Sequence, residues 1–599
     1  MTDVIIVGAG VAGALVAKSL GEAGLTVLVL EAGEGLAQTN AAYLERFFTA
    51  QAKVPESAYP PDLVEAKTGA PIDPGSQNAA RPTVLSLGAQ SWRDPRESYL
   101  VQNGPLPFGS TYERLAGGSG RHWLGTSLRL LPSDLRMAST FGRFTDWPLS
   151  LGELEPWYTK AESELGVCGE GAYPMPAIPA SLADAHVARA VGGLSFDGFP
   201  LHVTPTPAAR NSRAYQGRPP CQGNASCIPI CPIGAKYDPT VALRAAMQTG
   251  NVELRSKCVA TQIVLAEDGS VEAVEYVRYE HQSGGPTATE RARARVFVIA
   301  AHGIETPRLL LLSKNAGRTP AGVANGSDQV GRNLMDHPIY LAWALAKQPV
   351  FGYRGPLSTS GIESLRDGAF RSSRGAFRIE IGNDGWSFPI GDPETTTLDF
   401  VLGLNASGLN PSRARLCGTA LAAALNDALT RQIRLAFLVE QSPDAANRVT
   451  LSTVRDGLGL ARPQIAYDLS DYTRAGFLAA KRAASAIFSA MGAKEFTAAP
   501  AAGDPSAFTA GASGRGERLR FFGAGHVIGT YRMGSDPKRC VVDANQRSWE
   551  HHNLFLVGSG TFPTSTTANP TLTLAALALR TARAIATEAL PTGNAPATR

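Results

Sequence analysis

The alternation of apolar and polar positions at the start of the chain predicts a strand, a tight turn, a helix and a second strand. The apolar run Val4–Val7 leads into a glycine-rich turn at 8–13, residues 14–21 have a helical composition, and the apolar run Val27–Leu30 precedes Glu31. Short, fully apolar runs of this length are typical of strands buried in a parallel sheet. The chain therefore opens with a β-α-β unit.

Three glycines in the turn and the acid after the second strand predict a dinucleotide site. Gly8 permits the tight turn, Gly10 lets the backbone approach a pyrophosphate, and Gly13 lets helix and strand pack closely. The helix N-terminus offers unpaired N–H groups to phosphate, and Glu31 has the spacing of an acid that binds ribose hydroxyls. The alternative is a glycine-rich turn without a ligand, and the spacing does not distinguish FAD from NAD.

The pattern along the rest of the chain predicts a discontinuous α/β protein. Residues 34–90 are irregular, 259–301 form a β-meander, and 339–524 alternate strands with helices. The last strand, at 554–557, and the last helix, at 571–588, return to the nucleotide-binding unit. We expect a Rossmann-like α/β domain beside a substrate domain built on an antiparallel sheet with helices.

These elements predict two domains that share the chain in alternating pieces. We assign residues 1–138, 205–338 and 525–599 to the nucleotide-binding domain, and residues 139–204 and 339–524 to the substrate-binding domain. A length of 599 residues agrees with more than one core.

Composition excludes several classes of function. The chain is 44% hydrophobic and 18% charged with a net charge of +4, so nothing indicates nucleic-acid binding. The longest apolar stretch, 572–586, is interrupted by Arg580 and Arg583, so we expect no membrane span. The first strand begins almost at residue 1, so we expect no secretory signal.

Three of the seven cysteines lie within eleven residues. Cys221, Cys227 and Cys231 are soft thiolate ligands, and Pro232 follows the last of them as in ferredoxin-type loops. Structural zinc normally takes four ligands, and Cys258 is the nearest further cysteine. The spacing leaves open an iron–sulfur cluster, a zinc site, or a disulfide with one spare thiol. The other cysteines read as ordinary thiols.

Several motifs in a fixed order resemble the glucose–methanol–choline (GMC) flavoprotein oxidoreductases over nearly the whole chain. They are the N-terminal glycine motif with Glu31, the Gly117-Gly118 loop, the segment 305–313, the segment 331–338, and a C-terminal His followed by Asn-Pro at 569–570. One departure is Lys314, where the family's second signature usually has Gly. The resemblance implies FAD as the cofactor.

Within that family, the segment 221–235 is similar to the catalytic subunits of bacterial FAD-dependent glucose, gluconate, fructose and sorbitol dehydrogenases. This resemblance implies a 3Fe-4S cluster on Cys221, Cys227 and Cys231, and a cytochrome c subunit that accepts the electrons. It also implies a small chaperone-like partner that carries the folded chain to the periplasmic side of the inner membrane. A cytoplasmic enzyme is the alternative.

The resemblance also identifies the expected site residues. His526 matches the catalytic base, the natural choice near neutral pH, and Asn569 matches the partner that orients the substrate hydroxyl. The expected cofactor contacts, besides Gly8, Gly10, Gly13 and Glu31, are Gly117, Gly118, Ser119, His122, Val259 and Gly558. His122 falls where some GMC sugar oxidases attach FAD covalently; we expect non-covalent binding here.

The other histidines are expected to play structural or solvent-facing parts. His337 reads as a structural residue of the flavin domain, and His551 and His552 as solvent-facing residues in a turn. We therefore expect a sugar, polyol or sugar-acid dehydrogenase that transfers hydride to the flavin N5 and passes electrons through the cluster to a cytochrome c subunit or another acceptor. The alternatives are an oxygen-using GMC oxidase with structural cysteines, and a non-catalytic flavoprotein.

Overall fold

The fold comes from a computed structural model of the full chain. The structure describes residues 2–589 apart from residues 38, 50–98, 111, 224–226, 228–229, 281–285, 384–392, 457 and 512–515.

The described residues form helices of one to five turns, numbered here in chain order. They are α1 (Val11–Glu22), α2 (Asn40–Thr49), α3 (Met137–Phe141), α4 (Leu151–Leu165), α5 (Leu182–Val191), α6 (Thr240–Gln248), α7 (His302–Leu312), α8 (Pro393–Leu402), α9 (Gly418–Thr430), α10 (Asp471–Ala490) and α11 (Thr571–Ala589).

The strands are numbered in the same way. They are β1 (Val4–Val7), β2 (Val27–Leu30), β3 (Val101–Gln102), β4 (Cys168–Gly169), β5 (Met175–Pro176), β6 (Ser195–Phe196), β7 (Phe199–Pro200), β8 (Val203–Pro205), β9 (Val252–Arg255), β10 (Cys258–Leu265), β11 (Val271–Arg278), β12 (Ala288–Arg293), β13 (Val296–Ile299), β14 (Ile339–Leu345), β15 (Ser360–Ile362), β16 (Phe377–Gly382), β17 (Gln432–Val439), β18 (Arg448–Arg455), β19 (Ala461–Ala466), β20 (Lys494–Glu495), β21 (Ala507–Ala510), β22 (Glu517–Arg520) and β23 (Leu554–Leu556).

A parallel sheet in the order β23-β13-β1-β2-β9 carries the nucleotide-binding half. Its central strand β1 is buried along its whole length, which is why the sequence there is continuously apolar rather than alternating. Helices α1 and α11 pack together against this sheet, inside one large apolar core. The predicted Rossmann-like unit and its discontinuity in sequence are confirmed.

An antiparallel sheet in the order β20-β14-β17-β16-β15-β8 carries the second half of the molecule. Helix α10 packs on β14 and β17, and a second apolar core lies between them. The predicted antiparallel sheet with helices is therefore present. Strand β8, at 203–205, joins this sheet although most of the following segment belongs with the nucleotide-binding half.

Two details of the sequence interpretation were wrong. The segment predicted as irregular from residue 34 contains helix α2, although its remainder from residue 50 lies outside the described residues. The strand predicted to end the meander, now β13, lies instead in the parallel sheet between β1 and β23, and the third meander strand is β12. A continuous run of apolar residues marks burial on both faces, and the parallel sheet offers that environment to β13.

None of the described helices is long and apolar enough to cross a membrane.

Candidate active site

One cavity of about 690 Å³ joins the two halves of the molecule. The carboxyl ends of β1, β2 and β13 border it on one side, and the antiparallel sheet borders it on the other. Ligands of open α/β sheets bind beyond the carboxyl ends of the strands. Of the predicted site residues, the cavity is lined by Gly8, Gly10, Glu31, Gly118, Ser119, His122, Val259, His526, Gly558 and Asn569.

The glycine turn has the shape that a dinucleotide pyrophosphate requires. Gly8 has a φ of +100°, and a Cβ at Gly13 would lie 2.0 Å from the carbonyl oxygen of Gly8. A Cβ at Gly10 would meet nothing within 4 Å, because that position faces the open cavity at the start of α1. The turn therefore fits a phosphate group on the N-terminus of α1.

Glu31 lies at the end of β2 and is buried. Its two carboxylate oxygens accept hydrogen bonds from the N–H groups of Ala9 and Gly33, each at 2.9 Å. Burial raises the pKa of Glu31, whereas the two hydrogen bonds lower it, and the effect of burial is the larger. A carboxylate fixed on two backbone donors keeps lone pairs free for ribose hydroxyls, and the predicted adenosine contact stands as a proposal that this geometry supports.

The Gly117-Gly118 loop comes close to the glycine turn. Gly117, with a φ of +101°, donates its N–H to the carbonyl of Ala9 at 2.9 Å. A Cβ at Gly118 would lie 3.5 Å from the Cα of Gly10. The loop and the turn thus enclose one side of the cavity, as the glycine density predicts.

His122 is buried at the edge of this loop with two polar partners. Its Nε2 lies 2.9 Å from a carboxylate oxygen of Glu113 and 3.2 Å from the hydroxyl of Tyr43. These contacts hold the His122 ring at the edge of the cavity, and non-covalent binding of FAD stays a prediction.

Cys221, Cys227 and Cys231 lie near this loop and are not among the residues that line the cavity. Cys227 is buried, Cys221 and Cys231 are partly exposed, and none of the three is in a disulfide. Arg210 Nη1 lies 3.5 Å from the Cys227 sulfur. Burial raises the pKa of the Cys221 thiol, and nearby Cys227 and Cys231 act in the same direction.

Among the described residues, no three potential ligands converge on a point where a single metal ion could bind. In an iron–sulfur cluster each thiolate binds a different iron, so the three sulfurs need only be neighbours. Three thiols are ligands of the type that iron–sulfur clusters use, but among the described residues they are not arranged as a metal site.

Lys236 connects the cysteine segment to the His122 loop. Its Nζ donates to the carbonyl of Cys227 at 2.8 Å and also to the carbonyl of Trp123. Burial lowers the pKa of Lys236 to about 8. The backbone around the cysteines is thus anchored directly to the loop that lines the cavity.

His526 and Asn569 meet in the cavity, as the resemblance predicts. The Asn569 side-chain nitrogen lies 3.4 Å from His526 Nε2. Asn569 Oδ1 accepts from Arg378 Nη1 at 3.4 Å, so the amide orientation follows from the cation behind it. Asn569 therefore presents its NH₂ group toward His526.

A third histidine, His337, fixes the tautomer of His526. His337 Nε2 lies 3.1 Å from the carbonyl of Thr566, which can only accept, so Nε2 carries the proton. Burial lowers the pKa of His337 to about 4, so its ring is neutral and its Nδ1 is a bare acceptor. His526 Nδ1, at 3.0 Å, must then donate, and this leaves the lone pair on Nε2 of His526.

Backbone register brings the two histidines together. Met335 and Ile528 exchange backbone hydrogen bonds at 3.0 Å as an isolated antiparallel bridge. His337 lies two residues after Met335, and His526 lies two residues before Ile528. The antiparallel pairing therefore places the two histidines opposite each other. Sequence reasoning assigned His337 a structural part and missed this contact.

Asp336 holds the His526 segment in place. Its carboxylate accepts the backbone N–H groups of His337 at 2.7 Å, Ala524 at 3.1 Å and His526 at 3.2 Å, and the hydroxyl of Ser110. Burial raises the pKa of Asp336 to about 6, against these four hydrogen bonds. At neutral pH the group is therefore a carboxylate that orients the backbone of the predicted base.

His302 is an unexpected residue of the cavity lining. It follows β13, is partly exposed at the cavity wall, and has a φ of +76°, a conformation that favours glycine. Its ring lies 4.6 Å from that of Tyr112, and its Nδ1 accepts the N–H of Ile304 at 3.3 Å. Burial lowers the pKa of His302 to about 4, so the neutral ring carries its proton on Nε2.

His551 corrects another expectation. It was predicted to face solvent, but it is buried, with Nδ1 2.8 Å from the carbonyl of Gly269 and Nε2 accepting the N–H of Ala324. These two backbone groups hold the turn before β23, so the residue is structural. His552 is exposed, as expected.

The arrangement defines a flavin-dependent oxidoreductase of the GMC type, and family comparison agrees. Two models described as GMC oxidoreductase match residues 149–339 and 443–578, and a lycopene cyclase model matches only residues 3–63. The chain belongs to the GMC oxidoreductase family, whose members act on CH–OH groups and use FAD.

Individual relatives extend over almost the whole chain. The fructose dehydrogenase large subunit of Gluconobacter japonicus is 33% identical over 97% of both chains. The gluconate 2-dehydrogenase flavoprotein of Pantoea cypripedii is 24% identical over 97% of this chain and 93% of its own. The 6'''-hydroxyparomomycin C oxidase of Streptomyces lividus is 29% identical over 98% and 91%.

A solved structure shows the same fold. Pyridoxine 4-oxidase from Mesorbium loti superposes with a TM-score of 0.61 over 98% of this chain and 99% of its own, at 19% identity.

Proposed function

We propose that this chain is the catalytic subunit of an FAD-dependent dehydrogenase that oxidises one alcohol group of a sugar, polyol or sugar acid. The observation that carries the proposal is the neutral His526, whose Nε2 is left unprotonated by the hydrogen bond to His337 and faces the Asn569 amide. Both side chains line the cavity that continues into the glycine turn. The sugar dehydrogenases among the relatives support the substrate class.

The chain's own residues account for the proton and the alignment of the substrate. A substrate hydroxyl between His526 and Asn569 donates its proton to His526 Nε2 while Asn569 Nδ2 donates a hydrogen bond to the oxygen. FAD, when bound, supplies the acceptor for the hydride that leaves the carbinol carbon. Glu31, Gly10 and Gly118 would hold it at the carboxyl end of the parallel sheet.

We also propose a 3Fe-4S cluster on Cys221, Cys227 and Cys231. Such a cluster, when bound, supplies a one-electron relay between a two-electron flavin and a one-electron acceptor such as a cytochrome c subunit. Arg210 beside Cys227 adds positive charge near the thiolates. The name "large subunit" of the fructose dehydrogenase relative supports a multi-subunit assembly. From the resemblance of the cysteine segment we also propose a small chaperone-like partner and a periplasmic location at the inner membrane.

The second candidate is an oxygen-using oxidase with structural cysteines. The name of the Streptomyces relative favours it, because that protein is an oxidase at 29% identity.

One experiment separates these two functions. Wild-type holoenzyme is reduced anaerobically with D-fructose, D-glucose, D-gluconate or D-sorbitol, and low-temperature electron paramagnetic resonance and flavin absorbance are recorded together. We expect one substrate to bleach the flavin and also remove the signal of the oxidised cluster. In Cys227→Ser the flavin should still bleach but the iron signal should be absent, whereas Cys540→Ser, remote in sequence, should resemble wild type.

The opposite outcome is equally clear. A flavin that is bleached by sugar and restored by oxygen, in a protein without iron, would support the oxidase. No flavin reduction by any member of the panel would overturn the proposed substrate class.

A further inference from the structure

Exposed apolar side chains are concentrated at one place on the surface. In the described part of the chain seven large apolar side chains are strongly exposed, and four of these are Leu398, Val401, Leu402 and Leu404, at 39–49%. The remaining three are scattered along the sequence. Single exposed apolar residues are ordinary, whereas a contiguous group marks a surface that binds a partner or a membrane.

The group belongs to a pair of helices, α8 and α9, joined by the loop 403–417. The two helices pack mainly against each other, whereas α10 packs on the strands of the antiparallel sheet. Leu398 and Leu402 are four positions apart on α8 and therefore lie on one face. On α9 the exposed side chains include Ala420, Ala422 and Ala423. Surface helices normally turn polar side chains outward, so the α8–α9 pair presents an unusually apolar exterior.

The loop between the two helices has a fixed shape. The buried Asp399 carboxylate accepts the N–H groups of Ala406 at 2.9 Å and Ser407 at 2.7 Å. Asn410 Nδ2 donates to the carbonyls of Asp399 at 2.8 Å and Ala414 at 3.0 Å. The protein therefore holds this apolar surface in a defined arrangement, although leaving it in water costs free energy.

Positive charge lies on the same loop. Arg413 and Arg415 are exposed, and neither forms an ion pair with a described residue. Asp427, an exposed acid of α9, is already paired with Arg431. Among the described side chains of the α8–α9 pair, the exposed charge without a counter-ion is therefore positive.

We propose that the α8–α9 pair binds the surface of an anionic lipid bilayer. Leu398, Leu402 and Leu404 would enter the boundary between headgroups and acyl chains, and Arg413 and Arg415 would contact the acidic headgroups. Aliphatic side chains next to exposed cations are the composition of helices that lie in a membrane interface. This inference goes beyond the proposed function and does not depend on the reaction.

Two features favour lipid over a protein partner and an interfacial position over a membrane span. Protein interfaces are enriched in aromatic residues, whereas the four grouped side chains are all aliphatic. Helix α8 has ten residues, so it is about 15 Å long, half of the roughly 30 Å hydrocarbon core. The pair can therefore lie on the bilayer but is too short to cross it.

The test is sedimentation of the full-length holoenzyme with vesicles of phosphatidylcholine, alone or with about one third phosphatidylglycerol. Wild type should bind the mixed vesicles more tightly than the neutral ones, and added salt should reduce this preference. The double variant Leu398→Ser, Leu402→Ser should weaken binding to both by at least about tenfold. Arg413→Gln and Arg415→Gln should each weaken binding to the mixed vesicles by about fivefold and leave binding to the neutral vesicles nearly unchanged.

Matched controls replace exposed residues elsewhere. The double variant Leu182→Ser, Met247→Ser and the single variant Arg583→Gln should bind vesicles as wild type does. All replaced side chains are exposed, so thermal unfolding should be unchanged in every variant.

The inference is overturned if wild type does not sediment with the mixed vesicles, or if the Leu398→Ser, Leu402→Ser variant binds them equally well. If wild type ignores vesicles but forms a dimer that this variant dissociates, measured by sedimentation velocity, a second copy of the chain covers the surface and the membrane proposal is wrong. Flavin reduction by sugars is measured separately, so failure here leaves the proposed function untouched.

Discussion

The Nδ1 atoms of His337 and His526 lie 3.0 Å apart, and the carbonyl of Thr566 holds the far side of the His337 ring. Thr566 has a φ of +66°, which is rare for a β-branched residue. Strained backbone persists where the surrounding structure enforces it, frequently at functional sites. The carbonyl of Thr566 therefore determines which ring nitrogen carries the proton in His337 and, through His337, in His526.

Replacing His337 should distinguish this chain of hydrogen bonds from simple packing. His337→Leu removes the acceptor for His526 Nδ1 and should lower the rate of flavin reduction by about 100-fold. Gln offers both an acceptor and a donor, so His337→Gln should recover much of the loss. Stopped-flow flavin reduction measures both variants, and equal rates for Leu and Gln would contradict the proposed role.

The pH dependence should follow Asp336. Burial raises its pKa to about 6, so the carboxylate that orients His526 takes up a proton as pH falls through about 6. The rate of flavin reduction should be level above pH 7 and decrease below pH 6. His526 does not give this limb, because burial lowers its pKa well below the usual 6.5.

Stability should change in the opposite direction for this group. A carboxyl whose pKa is raised in the folded protein contributes stability that is present below its unfolded value, near 3.8, and is lost as pH rises through about 6. Protonation of Asp336 therefore does not destabilise the folded protein, and the loss of activity at low pH is not caused by unfolding through this group. In Asp336→Asn the rate should be lower but nearly flat from pH 5 to 7, and persistence of the limb there would disprove the assignment.

Asn569 should act as a hydrogen-bond donor. Asn569→Asp keeps the size and the contact with Arg378 but removes the NH₂ group, so kcat should fall by about 10²–10³-fold with a small change in KM. Asn426→Asp, on the exposed face of α9, is the matched control. A change in KM alone would show that Asn569 only binds substrate.

His302 should contribute to FAD binding. In His302→Gly, relief of backbone strain of about 1–3 kcal/mol offsets the loss of a ring contact of about 0.5–1.5 kcal/mol. The apoprotein should therefore keep its thermal stability, while the Kd for FAD, measured by flavin fluorescence, should rise at least about tenfold. Arg413→Gly, at an exposed residue with a φ of +52°, should leave the Kd unchanged; the same Kd in both variants would exclude His302 from the site.

The sequence predicted correctly those features that depend on residues close together in the chain. The turn at Gly8, the acid at Glu31 and the buried strand β1 follow from residues next to one another, and the structure has them as predicted. The partnership of His526 with Asn569 came from resemblance, because spacing alone does not bring these residues together.

The contacts that the sequence did not predict depend on pairing between segments far apart in the chain. His337 meets His526 only because Met335 pairs with Ile528, across nearly two hundred residues. Arg378 on β16 reaches Asn569 Oδ1 at 3.4 Å although the two residues are 191 positions apart in sequence. Such relationships carry no signal in a window of ten or twenty residues.

The strand order β23-β13-β1-β2-β9 has a consequence for synthesis of the chain. β1 is made first, but its neighbour β13 follows almost three hundred residues later, and β23 is completed only at Leu556. Contacts so distant in sequence form late and slowly. Strand β2 can pair with β1 as soon as both have been made, but the other edge of β1 stays open until β13 is synthesised, and the outer edge of β13 stays open until β23 is made near the end of the chain. For most of translation the parallel sheet therefore exposes an unpaired strand edge, the kind of surface on which nascent chains aggregate.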